Sequence, residues 1–293
     1  SLGLLIIDEE HKFGVKHKEK IRSLKSHLDV FTLSATPIPR TLQHSMVGIR
    51  DISKIQTPPT TRKPIETSVD YFSWSIIKEK IEYEIKQGGQ VYFVQNDIPS
   101  LSQTSKKISG FFPSFSVEFI HGQMPSRDLE ERVLSFFKGG IDILVCTTII
   151  ESGLDITNAN LIIINNAQNF GLSQLYQMRG RVGRGKKRAS CLLLVPKTKL
   201  KNHAYQRLKT IEKHTTLGSG YDISIKDLEI RGAGSVFGYK QSGHISSVGF
   251  EMYCQLLKEE IDRINDPSSI NGYSVNVTLT KSAYIPETYI KNK

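Results

Sequence analysis

Two acidic residues after an apolar run, and two arginines three positions apart, are the groups whose types and spacing suit chemistry. In Gln177-Met178-Arg179-Gly180-Arg181-Val182-Gly183-Arg184 the glycines allow tight backbone turns, so that Arg181 and Arg184 can lie on one side. Two guanidiniums presented together suit the oxygens of a phosphoryl group in transfer. The alternative for the same run is a basic loop touching nucleic-acid phosphates. Asp8-Glu9-Glu10-His11 stands directly after the apolar residues 4–7. An Asp fixed at a strand end can hold nucleotide-bound magnesium, and an adjacent Glu can orient or deprotonate the attacking water. The single His11 has no HExxH or Cys partner, so the tetrapeptide is not a zinc motif. Residues 180–186 satisfy GxxxxGK, but Lys187 stands where a P-loop needs Ser or Thr, and the polar stretch 174–177 precedes it in place of a strand. It is rejected as a phosphate loop, and no other GxxxxGK[ST] occurs in the chain.

These groups need elements to hold them. Apolar runs at 4–7, 30–33, 90–94, 117–120, 141–146, 161–164 and 191–195 read as strands, and 75–86 and 125–137 as helices between them. Strands alternating with helices imply βαβ units and a mainly parallel sheet. Five polar clusters each follow directly on a strand: Asp8 to His11, Ser34-Ala35-Thr36, His121-Gly122, Thr147-Thr148 with Glu151 to Asp155, and Asn165 to Gly171. In open parallel sheets the ligand crevice lies outside the carboxyl ends of the strands. Three prolines within residues 56–64 break the pattern and predict a linker. Residues 1–55 are then the end of one α/β domain, 65–198 a complete second one, and 199–264 a helical segment. Residues 265–293 begin a further, β-rich piece. Leu200, Ala204, Leu208 and Ile211 form one apolar helical stripe, and Tyr253, Leu257, Ile261 and Ile264 another.

The chain has 293 residues, 38% hydrophobic and 23% charged, which excludes a disordered chain. No apolar run approaches the ~18–20 residues of a bilayer span, so a membrane protein is excluded. Cys146, Cys191 and Cys254 stand far apart and read as reduced thiols, with no disulfide framework and no zinc site. The formal charge of +10 favours a polyanionic partner, nucleic acid first. Between Tyr176 and Thr215 stand Arg179, Arg181, Arg184, Lys186, Lys187, Arg188, Lys197, Lys199, Lys201, Arg207, Lys209 and Lys213, against a single acid, Glu212. The plain reading of that stretch is a solvated basic face.

Taken in order, the DEEH, SAT, HG, TTIIESGLDI and QMRGRVGR runs resemble the motor motifs of superfamily-two helicases and translocases. Residues 13–20 (FGVKHKEK), 35–41 (ATPIPRT) and 170–175 (FGLSQL) resemble two of its families, the transcription-repair coupling factors and the RecG fork-remodelling helicases. Residues 217–221 (LGSGY), 227–234 (DLEIRGAG) and 247–253 (SVGFEMY) look more like the coupling factors.

The resemblance implies an α/β fold, a RecA-like parallel sheet flanked by helices, followed by a helical hairpin translocation module. It implies ATP and magnesium as cofactors and double-stranded DNA as partner, in the bacterial cytoplasm. RNA polymerase and nucleotide-excision-repair proteins would be partners of the intact protein, through domains outside this sequence. The family's P-loop lies upstream of the position of Asp8, so this chain alone is expected to hydrolyse ATP negligibly. By the same resemblance Asp8 would bind magnesium and Glu9 activate water. Arg181 and Arg184 would reach the γ-phosphate, and His11, Gly153, Asp155 and Gln177 would line or order the nucleotide cleft. Ser34, Thr36 and Arg40 would couple hydrolysis to movement. His121, Gly122 and Thr148 would face the DNA backbone, and Arg231 and Gln241 would turn lobe closure into movement along duplex DNA. The run Asn165-Asn166-Ala167-Gln168-Asn169 departs from relatives that carry charged residues there. Alternatives are a RecG-like helicase of branched DNA, or a non-catalytic DNA-binding lobe if the chain is complete as it stands.

Overall fold

The computed structural model describes residues 3–9, 13, 28–36, 53–55, 57, 62–148, 156, 158–185, 187–231, 252, 255–256, 259–260 and 263–264. Strands β1 (Leu4–Asp8) and β2 (Asp29–Leu33) pair in parallel, with Asp8 opposite Leu33. A separate parallel sheet of six strands has the spatial order β3-β8-β7-β4-β6-β5. Its strands are β3 (Glu66–Tyr71), β4 (Gln90–Val94), β5 (Val117–Ile120), β6 (Ile143–Cys146), β7 (Ala159–Ile164) and β8 (Ser190–Val195). The helices are α1 (Trp74–Lys86), α2 (Ile98–Phe111), α3 (Ser126–Phe137), α4 (Leu172–Arg179), α5 (Asn202–Lys213) and α6 (Gly220–Arg231).

The central strands explain themselves. In β4 and β7 every residue is buried, because helices cover both faces, and such strands read as unbroken apolar runs. Their side chains alternate between two cores. Val91, Phe93, Leu161 and Ile163 meet Ile77, Ile81, Leu101 and Ile108 of α1 and α2. Tyr92, Val94, Ile162 and Ile164 meet Phe136, Leu175, Met178, Leu208, Ile211 and Ile223 of α3 to α6. The apolar core of the sheet thus runs on without interruption into α5 and α6.

Four elements, β3, α2, α4 and α6, are absent from the sequence reading. β3 is an edge strand, half solvated, and the polar sequence ETSVDY carries no apolar run to announce it. In α2 only Leu101, Ser105 and Ile108 are buried, so its apolar stripe is thin and broken by a serine. β6 begins at Ile143; Ile141 lies before the strand, buried, with its carbonyl accepting from Gln90 Nε2 at 2.7 Å. Leu200 precedes α5 and packs on the core from outside the helix, whereas Ala204, Leu208 and Ile211 are the buried stripe. Tyr253, Leu257 and Ile261 lie outside the described residues, and Ile264 is exposed. Cys146 and Cys191 are free and buried, and burial pushes the Cys191 thiol up to about 12, which keeps it protonated. Cys254 lies outside the described residues. Among the described residues no helix is long and apolar enough to cross a membrane.

Candidate nucleotide cleft

The carboxyl ends of β1 and β2 meet the end of α4 and the loop after it around a cleft of about 520 Å³. Asp8, Glu9, Gln177, Arg181 and Arg184 all line it, so residues separated by some 170 positions converge on one space. Asp8 is exposed at the strand end and Glu9 half-buried. Glu9 bends the chain out of β1 with φ 51°, a left-handed conformation unusual for a non-glycine residue, and its N–H donates to Leu33 O at 2.9 Å. The Ser34 hydroxyl donates to Glu9 Oε2 at 3.4 Å, and Gln177 Nε2 donates to the buried Thr36 hydroxyl at 3.2 Å. The Ser-Ala-Thr run is therefore bonded to the acidic side of the cleft at one end and to α4 at the other.

The arginine run divides by helix phase. Arg179, seven residues after Leu172, is on the buried face of α4, only 4% exposed. Its Nη1 donates to Ile211 O at 2.8 Å, and burial pulls its guanidinium below the usual range. Arg181 and Arg184 follow the helix, half-buried, on the cleft. Of the two glycines only Gly183 has positive φ, at 72°; a β-carbon there would stand 2.9 Å from Ala189 Cβ. Gly180 ends α4 with ordinary φ, and its carbonyl accepts from Arg62 Nη2 at 2.9 Å. The segment follows a helix, as the rejection of a P-loop requires.

Other expected residues lie elsewhere. His121 and Gly122 follow β5, and Thr148 follows β6. Because Ile120 pairs with Cys146, these positions are neighbours at one end of the sheet's carboxyl edge, away from the cleft lining. His121 stacks on Phe119 at 6.3 Å, and its Nδ1 is buried with no hydrogen-bond partner among the described residues. Arg231 closes α6. His11, Arg40, Gly153, Asp155 and Gln241 lie outside the described residues.

The basic stretch 176–215 is not one face. Besides Arg179, Arg207 is bound to Phe170 O and Gln168 O at 3.2 and 2.9 Å, and Lys187 to Gln87 O at 2.6 Å. Lys197, Lys199, Lys201, Lys209 and Lys213 are exposed. Two parts of the cleft carried no chemical signal in residue spacing. One is Arg62, inside the expected linker; the other is the wall formed by Thr215, Thr216, Leu217 and Gly218. The signal for the second was the glycine-rich run 217–221, which carried a resemblance but no role.

A parallel sheet flanked by helices, with phosphate-suited arginines beyond its strand ends, is the architecture of a RecA-like helicase C-terminal lobe. Residues 74–186 match the family described as helicase conserved C-terminal domain. A RecG bound to a three-way DNA junction superposes with TM-score 0.63 at 33% identity, covering 88% of this chain and 34% of that one. Dbp5 of S. cerevisiae bound to RNA and ADP BeF3 has TM-score 0.53 at 14% identity, over 73% of this chain and 58% of that one, and shows the fold alone. The chain is 48% identical to the transcription-repair-coupling factor of Bacillus subtilis over 99% of its own length and 25% of that protein's. It is a relative of the transcription-repair coupling factors, and spans about a quarter of their length.

Proposed function

We propose that this chain forms the end of the first lobe, the second lobe and the helical module of an ATP-dependent duplex DNA translocase, part of a longer protein that displaces stalled RNA polymerase in transcription-coupled repair. One observation carries the reading: Asp8 and Glu9 share a cleft with Arg181 and Arg184, the two complementary halves of a phosphoryl-transfer site. The cleft volume of about 520 Å³ is in the range of small-molecule sites. Among the described residues no three His, Cys, Asp or Glu gather. Magnesium is held by one or two carboxylates together with substrate phosphates and water. Asp8 would be the carboxylate, and the ion, when bound, supplies charge neutralisation at the phosphates. Glu9, steadied by Ser34, would orient water and take its proton. Arg181 and Arg184 would meet the charge that develops on the transferring group. Gln177, bonded to Thr36, would register closure of the two sides. His121, Gly122 and Thr148 would contact the DNA backbone, with little sequence preference, since backbone contacts position without reading bases. RNA polymerase and excision-repair proteins are partners of the longer protein under this reading.

A second reading, a branched-DNA helicase, is favoured by the match to RecG on a three-way junction. The test is DNA-stimulated ATP hydrolysis by the longer protein with and without Arg184→Ala, on linear and three-way DNA. Loss of the arginine is expected to cost about a thousandfold or more. Full hydrolysis by Arg184→Ala sinks the site assignment, and stimulation by junctions alone selects the second reading.

A further inference from the structure

Arg62 belongs to the run expected only as a linker, yet it lines the cleft beside Arg181 and Arg184. Its place there follows from the backbone after α4. The Gly180 N–H closes the helix on Tyr176 O at 3.0 Å. The chain then tightens into bonds between residues three apart, Arg181 N–H to Met178 O at 3.0 Å and Val182 N–H to Arg179 O at 3.3 Å. The next bond of that series would run from Gly183 to Gly180. It is not made, because Gly183 turns left-handed with φ 72° and donates its N–H to Ala159 O, at the start of β7, at 3.3 Å. The Gly180 carbonyl is thereby left over from the turn, and Arg62 Nη2 donates to it at 2.9 Å. Three residues further along each segment the contact repeats. The buried Ile65 lies against Gly183, where an added β-carbon would stand 3.4 Å from Ile65 Cγ1. Residues 62–65 thus form the bed of the arginine loop, and Glu66, whose N–H donates to Ala189 O at 3.0 Å, ties that bed to the sheet.

We propose that Arg62 is a positioning residue for phosphoryl transfer, fixing through the Gly180 carbonyl the direction in which Arg181 and Arg184 enter the cleft. This rests on the cleft being the ATP site. The Gly180 carbonyl and the Arg181 N–H belong to one planar peptide unit. With Arg62 on its oxygen and Met178 O on its N–H, that plane is held at both edges, and the Cα–Cβ bond of Arg181 is held with it. Arg184 leaves one residue past Gly183, which is anchored on β7 and seated on Ile65. Without Arg62 the oxygen edge is loose, and the peptide can rotate while the helix and the core stay as they are. The carbonyl stands at the end of α4, where acceptors lack donors and a cation is favoured over a neutral donor. Placement matters here because moving a catalytic group by about 1 Å costs on the order of a hundredfold in rate.

The test uses the longer natural protein that contains this segment, with Arg62→Met, Arg62→Lys and, as reference, Arg184→Ala. DNA-stimulated ATP hydrolysis gives kcat and KM, fluorescent ADP gives nucleotide affinity, and amide hydrogen exchange follows residues 180–184. Arg62→Met is expected to lower kcat about ten- to hundredfold while KM and ADP affinity stay within about twofold, the pattern of a contribution made in the transition state. Exchange at 180–184 should rise about tenfold, with the rest of the lobe unchanged. Arg62→Lys keeps a charged donor for the carbonyl, and should bring kcat to within about fivefold of the parent and exchange back to the parent's level. Unchanged kcat in Arg62→Met, with Arg184→Ala inactive, overturns the proposal and leaves the site assignment standing. Lowered kcat without faster exchange at 180–184 overturns it as well, since Arg62 would then meet the phosphates itself. An Arg62→Met protein that does not fold, or that loses ADP affinity in step with kcat, refutes it too, because Arg62 would be building the lobe. Full hydrolysis by Arg184→Ala, or a parent that does not hydrolyse ATP on DNA, marks failure of the cleft reading, and the proposal falls with it.

Discussion

Arg179 and Arg184 stand five residues apart in one basic run, and the structure gives them opposite consequences when removed. Replacing Arg179 by Met keeps the length of the side chain and deletes a buried cation whose Nη1 donates to Ile211 O at 2.8 Å. Ile211 lies in the last turn of α5, where helix carbonyls have no intrahelical donor and the macrodipole favours positive charge. The His214 N–H is already committed to Thr210 O. With Arg179 gone, a carbonyl in a fully buried residue loses its charged donor. A hydrogen bond to a charged group contributes about 1.5–3 kcal/mol, and an orphaned buried acceptor costs about 1–3. The better apolar burial of Met returns part of this, so a net loss of about 2–3 kcal/mol is expected. In a lobe of this size that lowers the melting temperature by about 5–10 °C. Arg184→Ala removes a half-buried side chain at the cleft and is expected to shift melting by no more than about 2 °C.

The measurement is thermal unfolding of the chain followed by circular dichroism, with urea unfolding to convert the shift into free energy. The reasoning is refuted if Arg184→Ala melts as low as Arg179→Met, or if Arg179→Met melts like the parent. The first outcome would make the cleft arginine a structural brace; the second would mean water reaches Ile211 O.

Two further outcomes follow. Glu84 is buried, accepts from Asn160 Nδ2 at 3.1 Å, and is held by burial above its ordinary value of 4.5. The folded chain therefore binds this proton more tightly than the unfolded one, and its contribution to stability is present below pH 4.5 and lost as pH rises through the raised folded value. Urea unfolding between pH 4 and 7 should show a flatter pH slope for Glu84→Gln than for the parent, and equal slopes would contradict the assignment. Gly183→Ala must hold φ 72° and press its β-carbon to 2.9 Å from Ala189 Cβ. The expected cost is about 2–3 kcal/mol by the same unfolding assay, and a change below about 0.5 would show that the loop has another conformation.

How far this could be read from the sequence follows from burial. β4, β7 and β8 are covered on both faces, so apart from Gln90, Asn160 and Ser190 near their starts their sequences are apolar, and their positions were legible to within two residues. β3 sits at the sheet edge and α2 buries little, so neither carries a period strong enough to see. Asp8, Glu9, Arg181 and Arg184 were legible as candidates because their types and spacing suit phosphate. That they share one cleft was implied only by the family resemblance, because spacing alone does not say how β1 and β2 meet α4. The segregation of Arg179 was legible in principle: Leu172, Leu175 and Arg179 repeat at helical spacing, and only a helix over 172–179 places the arginine inside. The polar look of residues 174–177 concealed that helix.

The same geometry changes what the net charge means. Arg62 binds the carbonyl of Gly180 at the end of α4, Arg179 that of Ile211 at the end of α5, and Lys187 that of Gln87 at the end of α1. Arg207 binds the carbonyls of Gln168 and Phe170, at the short 3-10 turn Ala167–Asn169. Each of these cations meets the negative end of a helical segment, where helix carbonyls lack donors. Charge spent this way is fixed by folding and is not released to a polyanion. Within the stretch 176–215, the basic side chains left exposed and not bound to a helix end are Arg188, Lys197, Lys199, Lys201, Lys209 and Lys213. A basic composition suggested nucleic acid for a sound reason, yet in the run that suggested it most strongly several charges hold the lobe together. Under the proposed function, Arg181 and Arg184 are the cations of this run left on the cleft for the phosphates of a nucleotide.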